Sequence, residues 1–364
     1  MTRVRIPGSP VRYPVHAAPG LIRRAGALAR PFAAGGRVAL VSDRTVDRLY
    51  GARVARSLGG AGLRVDRYTF PPGERSKSLE TARRLIERWA RDGHGKDTLV
   101  VALGGGVVSD VTGFAAAIYG RGVPWVVFPT TLLSQADASI GGKTGVNLPA
   151  AKNLVGAFHH PRAVFADPSA LATLSTRAFR SGLAEVAKMG FVRRPALLRP
   201  LRALARAGRP KPGADVAAIV RACAAAKAWY VTQDERDRGI RRELNFGHTV
   251  GHALEASSGY GRYLHGEAVS IGMAAELRLS VLEAGLDPVD AQDAEALLRD
   301  LGLPVRLPRM PGEAFWQALL RDKKRGRKGA RVVLCPAIGV AEVHTLSSLT
   351  GLRRVLLSLV ERPR

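Results

Sequence analysis

The chain has 364 residues, 46% hydrophobic and 24% charged, which excludes a disordered chain and exceeds what one core comfortably holds. No run of about 18 apolar residues could span a bilayer, and the basic N-terminus MTRVRIPGSPVRYPV lacks the apolar stretch of a secretory signal. Lys and Arg number 56 against 30 Asp and Glu, giving +26, but the cations are scattered through stretches such as TARRLIERWARDG without a nucleic-acid motif; a solvated basic surface and an anionic small ligand are expected, with no specific nucleic acid and no membrane.

Arg37–Ser42 (RVALVS) reads as a buried strand and Arg44–Leu58 as a helix. Leu63–Phe70 follows as a strand, Leu79–Asp92 as a helix, and Thr98–Leu103 and Val123–Pro129 as further strands. This alternation predicts a largely parallel sheet with helices on both faces. After Asp167-Pro168 helical periodicity takes over, in Arg177–Phe191, Asp215–Gln233, Asn245–Ser257, Gly266–Ala284 and Pro288–Leu301. The expectation is an α/β domain over 1–168 and a mostly α-helical domain over 169–364, with Arg206–Gly213 a loop inside the second. Two cysteines, Cys223 and Cys335, are too few for a disulfide framework and read as reduced buried thiols, so the cytoplasm is the expected compartment.

Gly104-Gly105-Gly106 follows the strand TLVVAL and precedes the helix-like Ser109–Tyr119. Such a turn lets backbone approach a pyrophosphate and aims helix N–H groups at it. The strict G-x-G-x-x-G pattern fails at Ser109, and spacing identifies no acidic residue for a ribose. Three other loops add weight: Phe70–Glu74 with Lys77, Pro129-Thr130-Thr131, and Gly141-Gly142-Lys143-Thr144 with Lys152-Asn153 beyond. Glycine, hydroxyl and lysine groups collected beside parallel strands suit an anionic ligand.

Asn245–His252 (NFGHTVGH) sets two histidines at i and i+4, on one helical face. Thr249 stands where a zinc protease carries its glutamate, which argues against peptide hydrolysis. His265 precedes another helix, and Glu185 sits on a mainly apolar one, where a carboxylate is costly unless paired or metal-bound. A catalytic zinc takes three protein ligands, and spacing does not choose among His248, His252, His265 and Glu185.

Together, Gly104–Gly113 (GGGVVSDVTG), Pro129–Gly156, Ser181–Lys188 (SGLAEVAK), Asp234–Glu255 and Leu264–Gly272 (LHGEAVSIG) resemble the sugar phosphate cyclases, and within them the 3-dehydroquinate synthase family. The resemblance runs in family order along nearly the whole chain. It implies that family's fold, an NAD-binding α/β domain before an α-helical metal- and substrate-binding domain. It also implies cyclisation of 3-deoxy-D-arabino-heptulosonate 7-phosphate with NAD and a divalent metal, zinc or alternatively cobalt. Sister cyclases, an enzyme making the amino analogue of dehydroquinate and, from another class, a basic polyanion-binding protein are the competing readings.

The metal ligands so implied are Glu185, His248 and His265. The implied NAD contacts are Glu74, Lys77, the run Gly104, Gly105, Gly106, Val107, Val108, Ser109 and Asp110, then Thr130, Thr131, Lys143 and Lys152. Substrate contacts carry onto Lys143, Asn153, Lys188, Lys227, Arg241, Asn245 and His252, with Lys323 or Lys324 in addition. Arg121 matches an arginine that reaches a neighbouring subunit's site, which implies a homodimer.

Overall fold

Valine- and alanine-rich runs too short for helices build a seven-stranded sheet in the computed structural model of the chain. The structure describes residues 1–7, 9–148, 151–208, 214–259, 262–320, 330–346 and 348–361, and leaves out the side chains of 151, 214 and 215. Its strands are β1 (Thr2–Arg5), β2 (Arg12–Ala17), β3 (Arg37–Asp43), β4 (Arg64–Phe70), β5 (Leu99–Gly104) and β6 (Trp125–Pro129). A hairpin, β7 (Lys143–Leu148) with β8 (Ala151–Phe158), stands apart as a separate two-stranded sheet, and β9 (Val164–Ala166) completes the large one.

The order is β1-β2-β9-β6-β5-β3-β4, parallel throughout except for β1 on β2. Alternate residues of the central strands enter different cores. Ala39, Val41, Val100, Ala102, Trp125 and Val127 face one side, and Val38, Leu40, Val101, Leu103, Val126 and Phe128 the other. Burial on both faces explains why these strands read as continuous apolar runs. Parallel pairing turns the carboxyl ends of β3, β4, β5 and β6 to one edge, where their loops gather.

The chain divides into two compact units. The first joins Met1–Leu174 to Lys211–Arg236, and the second joins Ser175–Pro210 to Asp237–Arg364. The helix Ala214–Gln233 therefore groups with the sheet, whereas chain order had set everything after 168 in the helical part. The reason is packing: Ala224, Ala228 and Val231 share a core with Val4 and Val15 of β1 and β2. The second unit is built mainly of helices, Thr176–Val192, His248–Ser257, His265–Glu283, Pro288–Asp300 and Thr350–Leu359 among them, with a hairpin of β10 (Ala330–Ala337) and β11 (Val340–Leu346). Among the described residues, no helix is long and apolar enough to cross a membrane.

Candidate active site

In the first unit, Gly104 closes β5 and the helix Gly106–Ile118 begins at once, with Gly105 as its N-cap and no capping side chain. Side chains are excluded here unequally. A Cβ on Gly104 would stand 2.4 Å from Val108 and one on Gly105 2.9 Å from Thr131, while one on Gly106 would meet nothing nearer than 3.7 Å. The first two glycines let strand, helix and neighbouring loop close together, and the third leaves room over the helix's first amides. An uncapped helix start beside open space suits a pyrophosphate. Thr130, just after the neighbouring strand, has a buried Oγ1 without a hydrogen-bond partner among the described residues, a group a ligand could satisfy. Val107 lies half-buried, while Val108 and Ser109 are buried on the inner side of the helix, Ser109 Oγ returning to the Gly105 carbonyl at 3.1 Å.

The turn after β4 carries Glu74 and Lys77. Lys77 Nζ pairs with Asp110 Oδ2 at 2.5 Å, tying that turn to the glycine-led helix. Burial raises the Asp110 pKa, and the adjacent ammonium opposes the rise. Glu74 Oε1 accepts from Asn147 Nδ2 at 2.8 Å and lies 3.7 Å from Lys152 Nζ. Asn147 in turn accepts the Asn153 amide at 3.0 Å, so the β7–β8 hairpin is fastened to the Glu74–Lys77 turn. Lys143 opens β7 and is exposed, and Asn153 is exposed with φ 52°, a conformation asparagine tolerates well. Gly141 and Gly142 lie just before β7, whereas Gly145, two residues after Lys143, pairs with Gly156 of β8. Lys227, on the helix Ala214–Gln233, forms a mostly buried ion pair with Asp137. Arg121 sits exposed at φ 65° between Gly120 and Gly122, both also at positive φ.

In the second unit, His248 and His252 lie on the helix His248–Ser257, His265 is the first residue of the helix His265–Glu283, and Glu185 and Lys188 lie on Thr176–Val192. One nitrogen from each of the three histidines falls within 4.8 Å of the others. Glu185, 3% exposed, turns Oε1 to within 3.7 Å of His248 Nε2 and 3.5 Å of His265 Nε2. That oxygen has no hydrogen-bond partner among the described residues, while Oε2 accepts from the buried Lys188 ammonium. A buried carboxylate oxygen without a partner, facing imidazole nitrogens, is a donor set that fits zinc or cobalt.

His248 is held below its usual pKa by burial first, then by the Lys188 charge and the neighbouring histidines. It is therefore neutral at pH 7. Its Nδ1 lies 3.1 Å from the Phe246 carbonyl, which can only accept, so Nε2 keeps the lone pair that faces Glu185.

Close helix approach makes this cluster possible. A Cβ on Gly266 would stand 1.8 Å from the Ser181 carbonyl, and one on Gly272 1.9 Å from that of Gly247. The small residues in SGLAEVAK and LHGEAVSIG thus bring the helices of Glu185 and His248 against the helix that His265 opens. Glu267 fixes the start of that helix by accepting the Leu264 amide at 2.8 Å, and Arg177 clamps Glu267 with two bonds of 2.6 and 2.7 Å. Behind His248, the fully buried Glu276 accepts the Gly247 amide at 2.6 Å, and burial pushes its pKa well above the usual range. Arg241 is buried and Asn245 exposed in the 3-10 stretch Ile240–Asn245.

The expected residues thus fall into two groups: the glycine turn, the threonines, Glu74, Lys77, Lys143, Lys152, Asn153 and Lys227 in the first unit, and Glu185, Lys188, Arg241, Asn245 and the histidines in the second. Lys323 and Lys324 lie outside the described residues. Sequence reasoning passed over Asp137, whose value shows only in its pairing with Lys227, and Glu255, 4% exposed beside His265. It also passed over Asp43, which ends β3 at the same edge as the glycine turn, although an acid closing a buried strand could have been noticed.

Family models for the N-terminal and C-terminal regions of 3-dehydroquinate synthase match residues 67–181 and 182–325. A 3-dehydroquinate synthase of Geobacter metallireducens is 43% identical over 338 residues, 93% of this chain and 94% of the relative. Another, of Geobacter sp. (strain M21), is 41% identical over 355 residues, 97% and 98% of the two chains. The solved structure of 2-epi-5-epi-valiolone synthase from Streptomyces hygroscopicus subsp. jinggangensis, with NAD+ and Zn2+ bound, matches with TM-score 0.88 at 30% identity, covering 98% of this chain and 99% of that one. Glycerol dehydrogenase of Schizosaccharomyces pombe shares the fold at TM-score 0.69 and 17% identity, over 99% and 89% of the chains. Matched along nearly its whole length by these relatives, the chain belongs to the 3-dehydroquinate synthase family.

Proposed function

We propose that this chain converts 3-deoxy-D-arabino-heptulosonate 7-phosphate to 3-dehydroquinate and inorganic phosphate, as its named relatives' activity suggests. It does so with NAD assigned to the first unit and a divalent metal, zinc by preference, to the second. The observation that carries the metal assignment is the partnerless Glu185 Oε1 turned toward His248 and His265. When bound, NAD supplies reversible hydride acceptance and the metal supplies Lewis acidity at the hydroxyl being oxidised.

The chain's own residues bind and orient. Glu185, His248 and His265 hold the metal, and the neutral state of His248 keeps Nε2 available at pH 7. The Gly106 end of its helix takes the pyrophosphate, with Thr130, Thr131, Glu74, Lys77, Asp110, Lys143 and Lys152 around it. Asp43 ends a strand beside that turn and caps the helix Arg44–Val46 through Oδ1, and its other oxygen is assigned to a ribose hydroxyl. Arg241, Lys227 and Asn245 serve the carboxylate end of the substrate, where a guanidinium matches a planar anion. Lys143, Asn153, Lys188, His252 and one of Lys323 and Lys324 hold the phosphate and hydroxyls. Fixing one conformer is most of what the closing aldol step requires. The exposed left-handed turn at Arg121 is offered to a second copy of the chain, forming a homodimer. Two buried cysteines, too few for a disulfide framework, agree with a cytoplasmic setting.

Phosphate release from the heptulosonate phosphate tests the reading, with NAD and zinc present and then each withheld. Turnover that requires both is expected. Turnover of sedoheptulose 7-phosphate, which has no carboxylate, without turnover of the heptulosonate would overturn the substrate assignment.

A further inference from the structure

Glu255 lies on the helix that carries His248 and His252, and it is 4% exposed. Burying a carboxylate is costly unless something compensates it, and Glu255 is none of the proposed ligands. Its Oε2 stands 3.3 Å from His265 Nδ1, and the other ring nitrogen of His265 stands 3.5 Å from Glu185 Oε1. The imidazole thus lies between two buried carboxylates carried by different helices.

The two histidines are held differently. His248 donates Nδ1–H to the carbonyl of Phe246, two residues away, so its ring is aimed by its own turn. His265 opens its helix and is half-buried, and its Nδ1 partner comes from another helix. A neutral imidazole left to itself divides between two tautomers, one of which carries a proton on Nε2 and offers no lone pair there. A carboxylate at Nδ1 selects the other.

We infer that Glu255 is a positioning residue that holds His265 as the Nδ1–H tautomer, with Nε2 aimed at the Glu185 carboxylate. It acts through His265 and touches neither substrate nor cofactor. The inference rests on the ligand reading proposed above and names the group that makes one of those ligands competent.

The test is zinc retention by the holoenzyme against a graded chelator, read with the visible spectrum of the cobalt-loaded protein. Glu255→Ala should weaken zinc binding by about 10–100-fold and alter the cobalt spectrum. Glu255→Gln, whose side-chain carbonyl still accepts from Nδ1, should stay within about fivefold of the parent, since the acceptor is kept. A histidine-selective 15N spectrum should show one His265 tautomer in the parent and a mixture in Glu255→Ala. If Glu255→Ala does not fold, Glu255→Asp replaces it, with weakened binding again expected because the carboxylate is drawn back by one methylene.

Parental affinity with the parental cobalt spectrum, in Glu255→Ala or its replacement, overturns the inference. His265→Ala separates the two levels. Full zinc retention in that variant sinks the ligand reading, whereas zinc lost there but kept without Glu255 sinks only the positioning role.

Discussion

The two units prepare for their ligands by opposite means. At the sheet edge the preparation is mainly backbone: a helix starts without a cap, glycines clear the space above it, and strand order brings four loops together. In the helical unit it is side chains, and the donors come from three helices at 185, 248 and 265. The first arrangement depends on what is missing, namely a Cβ or a cap. The second depends on heteroatoms held against one another in a largely dry environment, where each ionised group needs a partner.

Substitutions can set these two designs against each other. The largest effect is expected at His265: changing it to Ala should cut turnover by more than about a hundredfold, beyond the loss typical of an outer partner, while circular dichroism stays parental. Stoichiometric zinc and activity in that variant would refute the side-chain design. Next comes Lys227→Met, which takes the ammonium from a mostly buried ion pair. Breaking such a pair costs up to about 3–5 kcal/mol. The double change with Asp137→Asn should recover stability without recovering turnover, and denaturant melts of the three variants form the cycle that checks it.

The backbone design predicts a smaller, cleaner split. Gly106→Val fills open space, so it should raise the KM for NAD by about tenfold, the loss of a helix-terminus interaction of about 1–2 kcal/mol, with little change in melting. Gly104→Ala collides with Val108 and should instead lower stability by about 1–3 kcal/mol. Equal effects at the two positions would show that the turn is only a turn.

The smallest effect concerns Glu276. Because burial raises its pKa, the folded chain holds that proton more tightly than the unfolded chain does. Stability is then greatest below the ordinary carboxyl pKa of 4.5 and falls as pH rises toward the folded value. Glu276→Gln removes that dependence. Its melting temperature should match the parent near pH 4 and exceed it by about 2–4 °C at pH 8, and a pH-independent difference would refute the account.

The contrast between the units also explains what could be read in advance. Strands such as RVALVS and TLVVAL announce themselves because burial on both faces leaves only apolar residues. The glycine turn is visible because it is contiguous. Lys143 stands where loop turns into strand: Gly141 and Gly142 before it lie outside β7, but nothing local shows that Gly145 and Gly156 face each other across a β-pair, where a Cβ on Gly156 would stand 2.2 Å from the Thr144 carbonyl. The histidines were visible as candidates, yet nothing local marked Glu255 or Asp137. A carboxylate at an apolar-looking position shows its purpose only through a partner 10 or 90 residues away. The helix Ala214–Gln233 was recognised as a helix while its company was not, because periodicity reports that a face is buried and says nothing about which core buries it.

The interleaving of the two units has a consequence for the order in which the chain can finish folding. The segment Ser175–Pro210 belongs to the helical unit, yet Lys211–Arg236 returns to the sheet before the rest of the helical unit is made. A ribosome therefore releases Glu185 well before either histidine that would share its metal. A bound ion would join positions 185 and 265, closing a loop of about 80 residues, and the entropy of that closure grows only slowly with length. In such a chain the metal would act as a late fastener as well as a reagent, and removing it should loosen the helical unit before it disturbs the sheet.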